Sequence, residues 1–239
     1  MATLIDWSEV DLKITSYCSQ YQYETRSMGL THILLEHLFG LSPDQVDECI
    51  TDGAQDRGID AVLIPENDQP NVIHFFQVKC VDAFDKADHN FPSVEIDKLL
   101  SFIADLLRKD PGMERSCNPL LWGKVQEIWD AFQSGAPKFT VHLVGNQAAL
   151  TSGEQSRLES SLAPYRNFYV RYHTLDSIAR LILEAKKPRI DRKLQLVDDQ
   201  YFERVDGNIR GLIGTIQGSD LVKMIVDPED PSRPLLEIF

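Results

Sequence analysis

Gly58-Ile59-Asp60-Ala61-Val62-Leu63-Ile64 and Val72-Ile73-His74-Phe75-Phe76-Gln77-Val78-Lys79-Cys80 are the two stretches on which the fold of this chain turns. Both are rich in β-branched, aliphatic and aromatic residues, and the first ends at Pro65. Between them lies Glu66-Asn67-Asp68-Gln69-Pro70-Asn71, a cluster of turn formers. Two strand-like runs around a short polar loop read as a β-hairpin. Antiparallel pairing that keeps Pro65 at a strand end sets Asp60 roughly opposite Gln77. Side chains alternate faces along a strand, so Gln77 and Lys79 share a face with Ile73 and Phe75. A register that turns Asp60 to that face joins a carboxylate, an amide and an ammonium; a slip of one residue sends Asp60 to the other side. An ammonium that interrupts an apolar face needs water or a carboxylate. Lys79 is therefore expected near Asp60, either as a plain ion pair or as part of a catalytic group.

At these residues the chain resembles the PD-(D/E)XK nuclease superfamily in its Gln-x-Lys variant, as in Mrr-like restriction enzymes. It is more closely similar to the AIPR (abortive infection phage resistance) family. That resemblance runs through Leu38-Phe39-Gly40-Leu41, Ile50-Thr51-Asp52-Gly53, Asp56-Arg57-Gly58-Ile59-Asp60-Ala61 and Phe76-Gln77-Val78-Lys79. It covers residues 28 to 80 and fades beyond about residue 110. Family members more often carry Gly at positions 54 and 57, where this chain has Ala54 and Arg57. AIPR proteins are usually much longer. This sequence ends on the apolar Pro234-Leu235-Leu236-Glu237-Ile238-Phe239, so it is expected to be a piece of a longer protein, or a short relative whose end docks into its own core.

The resemblance implies a restriction-endonuclease-like fold of the α/β class, with a mixed central sheet flanked by helices. It also implies a metal-dependent endonuclease acting on DNA in phage defence. Asp60 would be the metal-binding carboxylate, Gln77 would stand at the second acidic position and offer its side-chain oxygen, and the Val78 carbonyl would complete the set. Lys79 would orient or activate the attacking water. Mg²⁺ (or Mn²⁺) suits such a set, because it takes oxygen ligands, keeps several waters and lowers their pKa. A further carboxylate often comes from the first helix of this fold. Glu24 and Glu36 are the candidates, and Glu36 is preferred because Leu30, Ile33, Leu34, Leu35, Leu38 and Phe39 give its segment a helical stripe. Asp52-Gly53 reads as a turn and Asp56 as a loop cap. RNA remains the alternative substrate, and a non-catalytic binding or regulatory module the alternative use of the fold.

The formal net charge of −13 weighs against a grip on naked nucleic acid, which rests on Lys and Arg at phosphates. A local basic groove would resolve this, since distribution matters more than total charge. Lys193, Arg204 and Arg210 are the nucleic-acid-binding candidates, with Lys186, Lys187, Arg189 and Arg192 nearby. Otherwise a homodimer, a defence-system partner protein or further sequence supplies the contact. Cys18, Cys49, Cys80 and Cys117 lie far apart without a Cys-x-x-Cys pair, so they read as reduced packing residues. His74 and His142 read as ordinary strand residues, and Trp122 and Trp129 as core. No run approaches the roughly 18 apolar residues of a membrane helix. The N-terminus also lacks a basic start and apolar signal core, which predicts a cytoplasmic protein with no membrane contact.

Strand-like and helical patterns alternate along the chain, which argues for an α/β layer fold. Expected are helix to about Phe39, a strand near Val46 to Thr51, the hairpin, a loop over residues 81 to 91, and helices at 94–107 and 120–132. A strand at 139–144, a helix at 153–162, a strand at 167–173 and a helix at 175–185 follow. The junction near Pro188 to Asp191 divides a nuclease-like domain, 1–187, from the start of a second α/β unit, 188–239. That unit is expected to hold a strand at 194–197, a turn at Asp206-Gly207, a run from Ile209 to Ile216 and a helix after Ser219.

Overall fold

A central sheet of four strands carries helices on both of its faces in the computed structural model, which describes residues 3–65, 72–185, 196–206 and 209–219. The chain divides into two compact units, Met1–Ile182 and Leu183–Phe239. Helices α1 (Leu4–Tyr21), α2 (Arg26–Phe39) and α3 (Pro43–Cys49) come first, followed by strands β1 (Ala61–Leu63) and β2 (Val72–Lys79). A single 3₁₀ turn, Phe84–Lys86, interrupts the expected loop. Then come α4 (Ser93–Arg108), α5 (Met113–Ser116), α6 (Pro119–Ser134), β3 (Lys138–Gly145), α7 (Ser152–Leu162), β4 (Phe168–His173) and α8 (Leu175–Ala185).

The sheet order is β1-β2-β3-β4. β1 runs antiparallel to β2 with Ala61 opposite Phe76, so the hairpin register continues to Asp60 opposite Gln77. β3 is parallel to β2 and β4 to β3, with α4–α6 and α7 as the crossovers. This makes the sheet mixed. Alternation along the strands divides the core cleanly. Ala61, Leu63, Phe76, Val78 and Val144 pack under α1, α2, α3 and α8, whereas Val62, Ile73, Phe75, Val141 and Leu143 pack under α4, α6 and α7. Gln77 and Lys79 follow Ile73 and Phe75 in the period of two, and Asp60 precedes Val62. All three thus belong to the α4 side.

The expected strand at Val46 to Thr51 is instead helix α3, with only Ile50 bridging to Ala61. The reason lies just upstream. Ser42 accepts from Gln45 N while the Gln45 side chain accepts from Ser42 N, and Pro43 occupies the first helical turn. This reciprocal cap with Pro at the start is a strong helix origin and overrides the aliphatic run. The helical N-terminal segment ends at Phe39 as expected and is made of two helices. α1 opens on a Thr3–Asp6 capping box, and α2 starts at the Thr25 cap and ends at Gly40 in the left-handed region, φ 68°.

In the second unit, β5 (Leu196–Asp206) and β6 (Ile209–Ile216) pair antiparallel with Phe202 opposite Ile213. β5 is longer than the expected 194–197 strand. Gly207 of the expected turn, Leu194 and Gln195, the helix beyond Ser219 and the Pro188 to Asp191 junction lie outside the described residues.

Candidate metal centre

The segment from Thr51 to Asp60 folds back on itself and gathers carboxylates at the mouth of the hairpin. Thr51 N and Asp52 N both donate to the Asp60 carbonyl, at 2.9 and 3.1 Å, and Thr51 Oγ1 donates to Ile59 O at 2.6 Å. The Asp56 side chain accepts from Gly58 N at 2.8 Å and from Gly53 N at 3.3 Å. Such a tight fold needs left-handed backbone, and Gln55, Arg57 and Gly58 adopt φ of 64°, 57° and 77°. For Gly58 the glycine is required twice over. A Cβ there would lie 2.7 Å from Gln77 Oε1 and 3.1 Å from Lys98 Cβ. Arg57 bears the left-handed φ at some cost and is held by its guanidinium, which bonds Asp105 at 2.8 Å, Ser101 at 3.1 Å and Ser116 at 3.0 Å. That bridge ties the loop to α4 and α5.

The result is a group of three carboxylates, Asp52, Asp56 and Asp60, each with an oxygen within 4.8 Å of the others. Asp60 is 4 % exposed. Its Oδ2 accepts from the Val78 amide N–H at 2.6 Å and, more weakly, from Gln77 Nε2 at 3.5 Å. Burial pushes the Asp60 carboxyl up from 3.8 to about 7, with Asp52 and Asp56 adding to the rise; the Val78 N–H and the Lys79 charge pull against it. Burial and the neighbouring Asp56 also raise Asp52. Repelling carboxylates held out of water are stabilised by a proton or a cation, and oxygens at this spacing suit a divalent cation. The residues therefore fit a metal of the Mg²⁺ class.

Lys79 makes its ion pair with Glu95, not with Asp60. Its Nζ lies 3.4 Å from Glu95 Oε1, and Lys98 Nζ lies 3.1 Å from Oε2. Glu95 is only 6 % exposed, in the first turn of α4. A buried carboxylate has to be paired and hydrogen-bonded. Here two ammonium groups and Gln77 Nε2, at 3.2 Å, do so. Gln77 is fully buried and joins the two halves of the site, its Nε2 reaching both Asp60 and Glu95. Its Oε1 is buried without a partner among the described residues. The amide thus presents nitrogen where the sequence led us to expect oxygen. Turning it over would offer Oε1 to a cation placed between the two carboxylates.

Val78 contributes its N–H to Asp60 in this structure. Glu36 is not part of the group. It accepts from Tyr17 Oη at 2.5 Å and approaches His32 Nε2 at 3.8 Å, within the α1–α2 layer. Glu24 is exposed in the bend between α1 and α2. Asp52 and Asp56, read from sequence as turn and cap, supply the extra carboxylates instead. Glu95 was missed altogether. Its signal is legible in hindsight, for it shares the buried stripe of α4 with Leu99, Phe102 and Leu106. Among the basic candidates, Arg204 is exposed on β5 and Arg210 lies on β6. Lys186, Lys187, Arg189, Arg192 and Lys193 lie outside the described residues.

Comparison with family models, with curated proteins and with solved structures finds no match to this chain. No helix among the described residues is long and apolar enough to cross a membrane.

Proposed function

We propose that this protein is a metal-dependent phosphodiesterase of the nuclease type, with a restriction-endonuclease-like core, acting on DNA. The observation that carries the reading is the buried Asp60 carboxylate, raised to about 7 and gathered with Asp52 and Asp56 beside the Gln77-x-Lys79 strand. Asp60 would hold the ion together with Asp52, Asp56 or a turned Gln77. When bound, the ion would supply an activated water and screen charge on the phosphoryl oxygens. Gln77 links the carboxylates on the two sides of the site. Lys79, held by Glu95, stands ready to exchange that carboxylate for a phosphate oxygen, and Lys98 offers a second such cation. The AIPR likeness around these residues supports a place in phage defence.

One observation favours a second reading. Glu95 neutralises Lys79, and the Gln77 nitrogen occupies a ligand's direction, as a fold used only for binding would tolerate. A cleavage panel separates the two. The chain is incubated with single- and double-stranded DNA and with RNA, in Mg²⁺, Mn²⁺ or chelator, beside Asp60→Ala and Lys79→Ala. The nuclease reading predicts cleavage that needs metal and is lost in both variants, and the preferred substrate identifies DNA or RNA. Absence of cleavage under every condition supports the binding reading, and cleavage that survives Asp60→Ala removes the site from this position.

A further inference from the structure

On the opposite face of the sheet from Asp60, three histidines on neighbouring strands form a continuous hydrogen-bonded row. His74 Nδ1 meets His142 Nε2 at 3.0 Å, and His142 Nδ1 meets His173 Nε2 at 2.9 Å. The row runs diagonally because His142 lies two residues beyond the partner of His74, and His173 two beyond the partner of His142. The His142 ring stacks on Phe76, with centroids 4.4 Å apart. Both ring nitrogens of His142 are committed, one donating and one accepting, so the tautomers of all three rings are tied to one direction.

This row lines an open groove of about 770 Å³, bounded also by Phe39, Lys138, Thr140, Tyr169 and Arg171. The size falls within the roughly 300–1,000 Å³ of small-molecule sites. Its charge is unusual for this chain. The protein carries 37 acidic residues against 24 Lys and Arg, yet among the described residues no Asp or Glu lines the groove. Lys138 and Arg171 make no ion pair among the described residues. Arg171 also decides the sign of the ligand. Burial, with His173, His74 and then Arg171 adding to it, holds His142 far below the ordinary histidine range, and burial with Arg171 lowers His173, so the imidazoles are neutral; the Arg171 and Lys138 charges are what oppose a metal cation in the groove. Neutral imidazoles remain good hydrogen-bond donors to an anion. Tyr169, 53 % exposed on the same face of β4 as Arg171 and His173, presents a bare ring. An exposed aromatic beside unpaired cations suits stacking by a base next to its phosphate.

We propose that this groove binds a nucleotide, free or at the end of an oligonucleotide, with Arg171 and Lys138 on the phosphate and Tyr169 against the base. His173 Nδ1 has no partner among the described residues, so a ligand acceptor there draws an N–H and sets the direction of the whole histidine row. The site is separate from the Asp60 group and does not depend on cleavage.

The test is calorimetric titration of the whole chain with AMP, ATP, adenosine, inorganic phosphate and a dinucleotide with and without a 5′-phosphate. Imidazole ¹⁵N shifts are followed in parallel. Saturable binding of AMP or ATP is expected, at least tenfold tighter than adenosine or phosphate alone. It should weaken at least tenfold in Arg171→Ala, Lys138→Ala and Tyr169→Ala, three exposed positions, and be unchanged in Asp60→Asn. The ¹⁵N shifts of His142 and His173 should move together on binding. Binding of the 5′-phosphorylated dinucleotide alone would place the ligand at a nucleic-acid end and still support the proposal. Phosphate bound as tightly as AMP, binding unaffected by the three variants, or no saturable binding of any probe would overturn it.

Discussion

Replacing Asp60 by Asn should stabilise the metal-free protein, by an amount that grows with pH. The carboxyl titrates at about 7 in the folded chain against an ordinary 3.8, because it is buried and stands beside Asp52 and Asp56. Between these two values the folded state keeps a proton that the unfolded state has released. The charged form is therefore disfavoured by folding, and stability falls as pH rises through this window, the full cost being reached above pH 7. The interval corresponds to about 4 kcal/mol. Asn removes the titration while its side-chain oxygen can still accept from Val78 N. The expected gain is small at pH 4, under about 1 kcal/mol, because the unfolded carboxyl has there only begun to lose its proton, and about 4 kcal/mol at pH 8, or roughly 10 °C in Tm for a unit of this size. Part of the gain is offset where the new amide meets Gln77 Nε2, unless Gln77 turns its unpartnered Oε1 inward. Thermal unfolding of both proteins in chelator at pH 4, 6 and 8 measures the difference. A change that is the same at pH 4 and pH 8, or a loss at both, would refute the claim that Asp60 is a strained, buried acid.

Other substitutions test the scaffold around it. Gly58→Ala should cost about 2–4 kcal/mol, from a left-handed backbone and a Cβ 2.7 Å from Gln77 Oε1, read as a lowered denaturant midpoint; an unchanged midpoint contradicts the packing. Arg57→Ala keeps the strained φ and loses the bonds to Asp105, Ser101 and Ser116, so the Thr51–Asp60 loop should lose amide-exchange protection while α6 keeps its own. A double-mutant cycle on Lys79→Ala and Glu95→Gln should give a coupling of about 1 kcal/mol, modest because Lys79 is partly solvated; a coupling near zero would mean the pair is not formed.

The hairpin register was legible because Val72–Lys79 is a continuous β-branched and aromatic run and Pro65 fixes where the first strand must end. α4, β3, β4 and α8 were legible for the same reason, each being a long run with one clear period. The reading failed at Val46–Thr51, where the aliphatic residues drew attention from the Ser42-Pro43 helix start. At the site, the face shared by Gln77 and Lys79 followed from strand alternation, whereas the face of Asp60 hung on the pairing register. The true partner of Lys79 did not, because Glu95 arrives from a helix that the sequence places after a loop and only tertiary packing brings over the sheet. Glu36 illustrates the converse. Its helix was read correctly, but helical phase alone does not say that Tyr17 on α1 will claim the carboxylate. Asp52 and Asp56 looked like turn residues and are; the turn itself aims them at Asp60.

Metal binding at Asp60 has a signature that no purely structural role shares. A cation that displaces a half-held proton must release it. Calorimetric titration of Mn²⁺ in two buffers of different ionisation enthalpy counts that proton directly. The account predicts release of about one proton per ion at pH 6, declining toward none by pH 9, and loss of the binding in Asp60→Asn. Binding without proton release, or an isotherm that Asp60→Asn leaves unchanged, would contradict it.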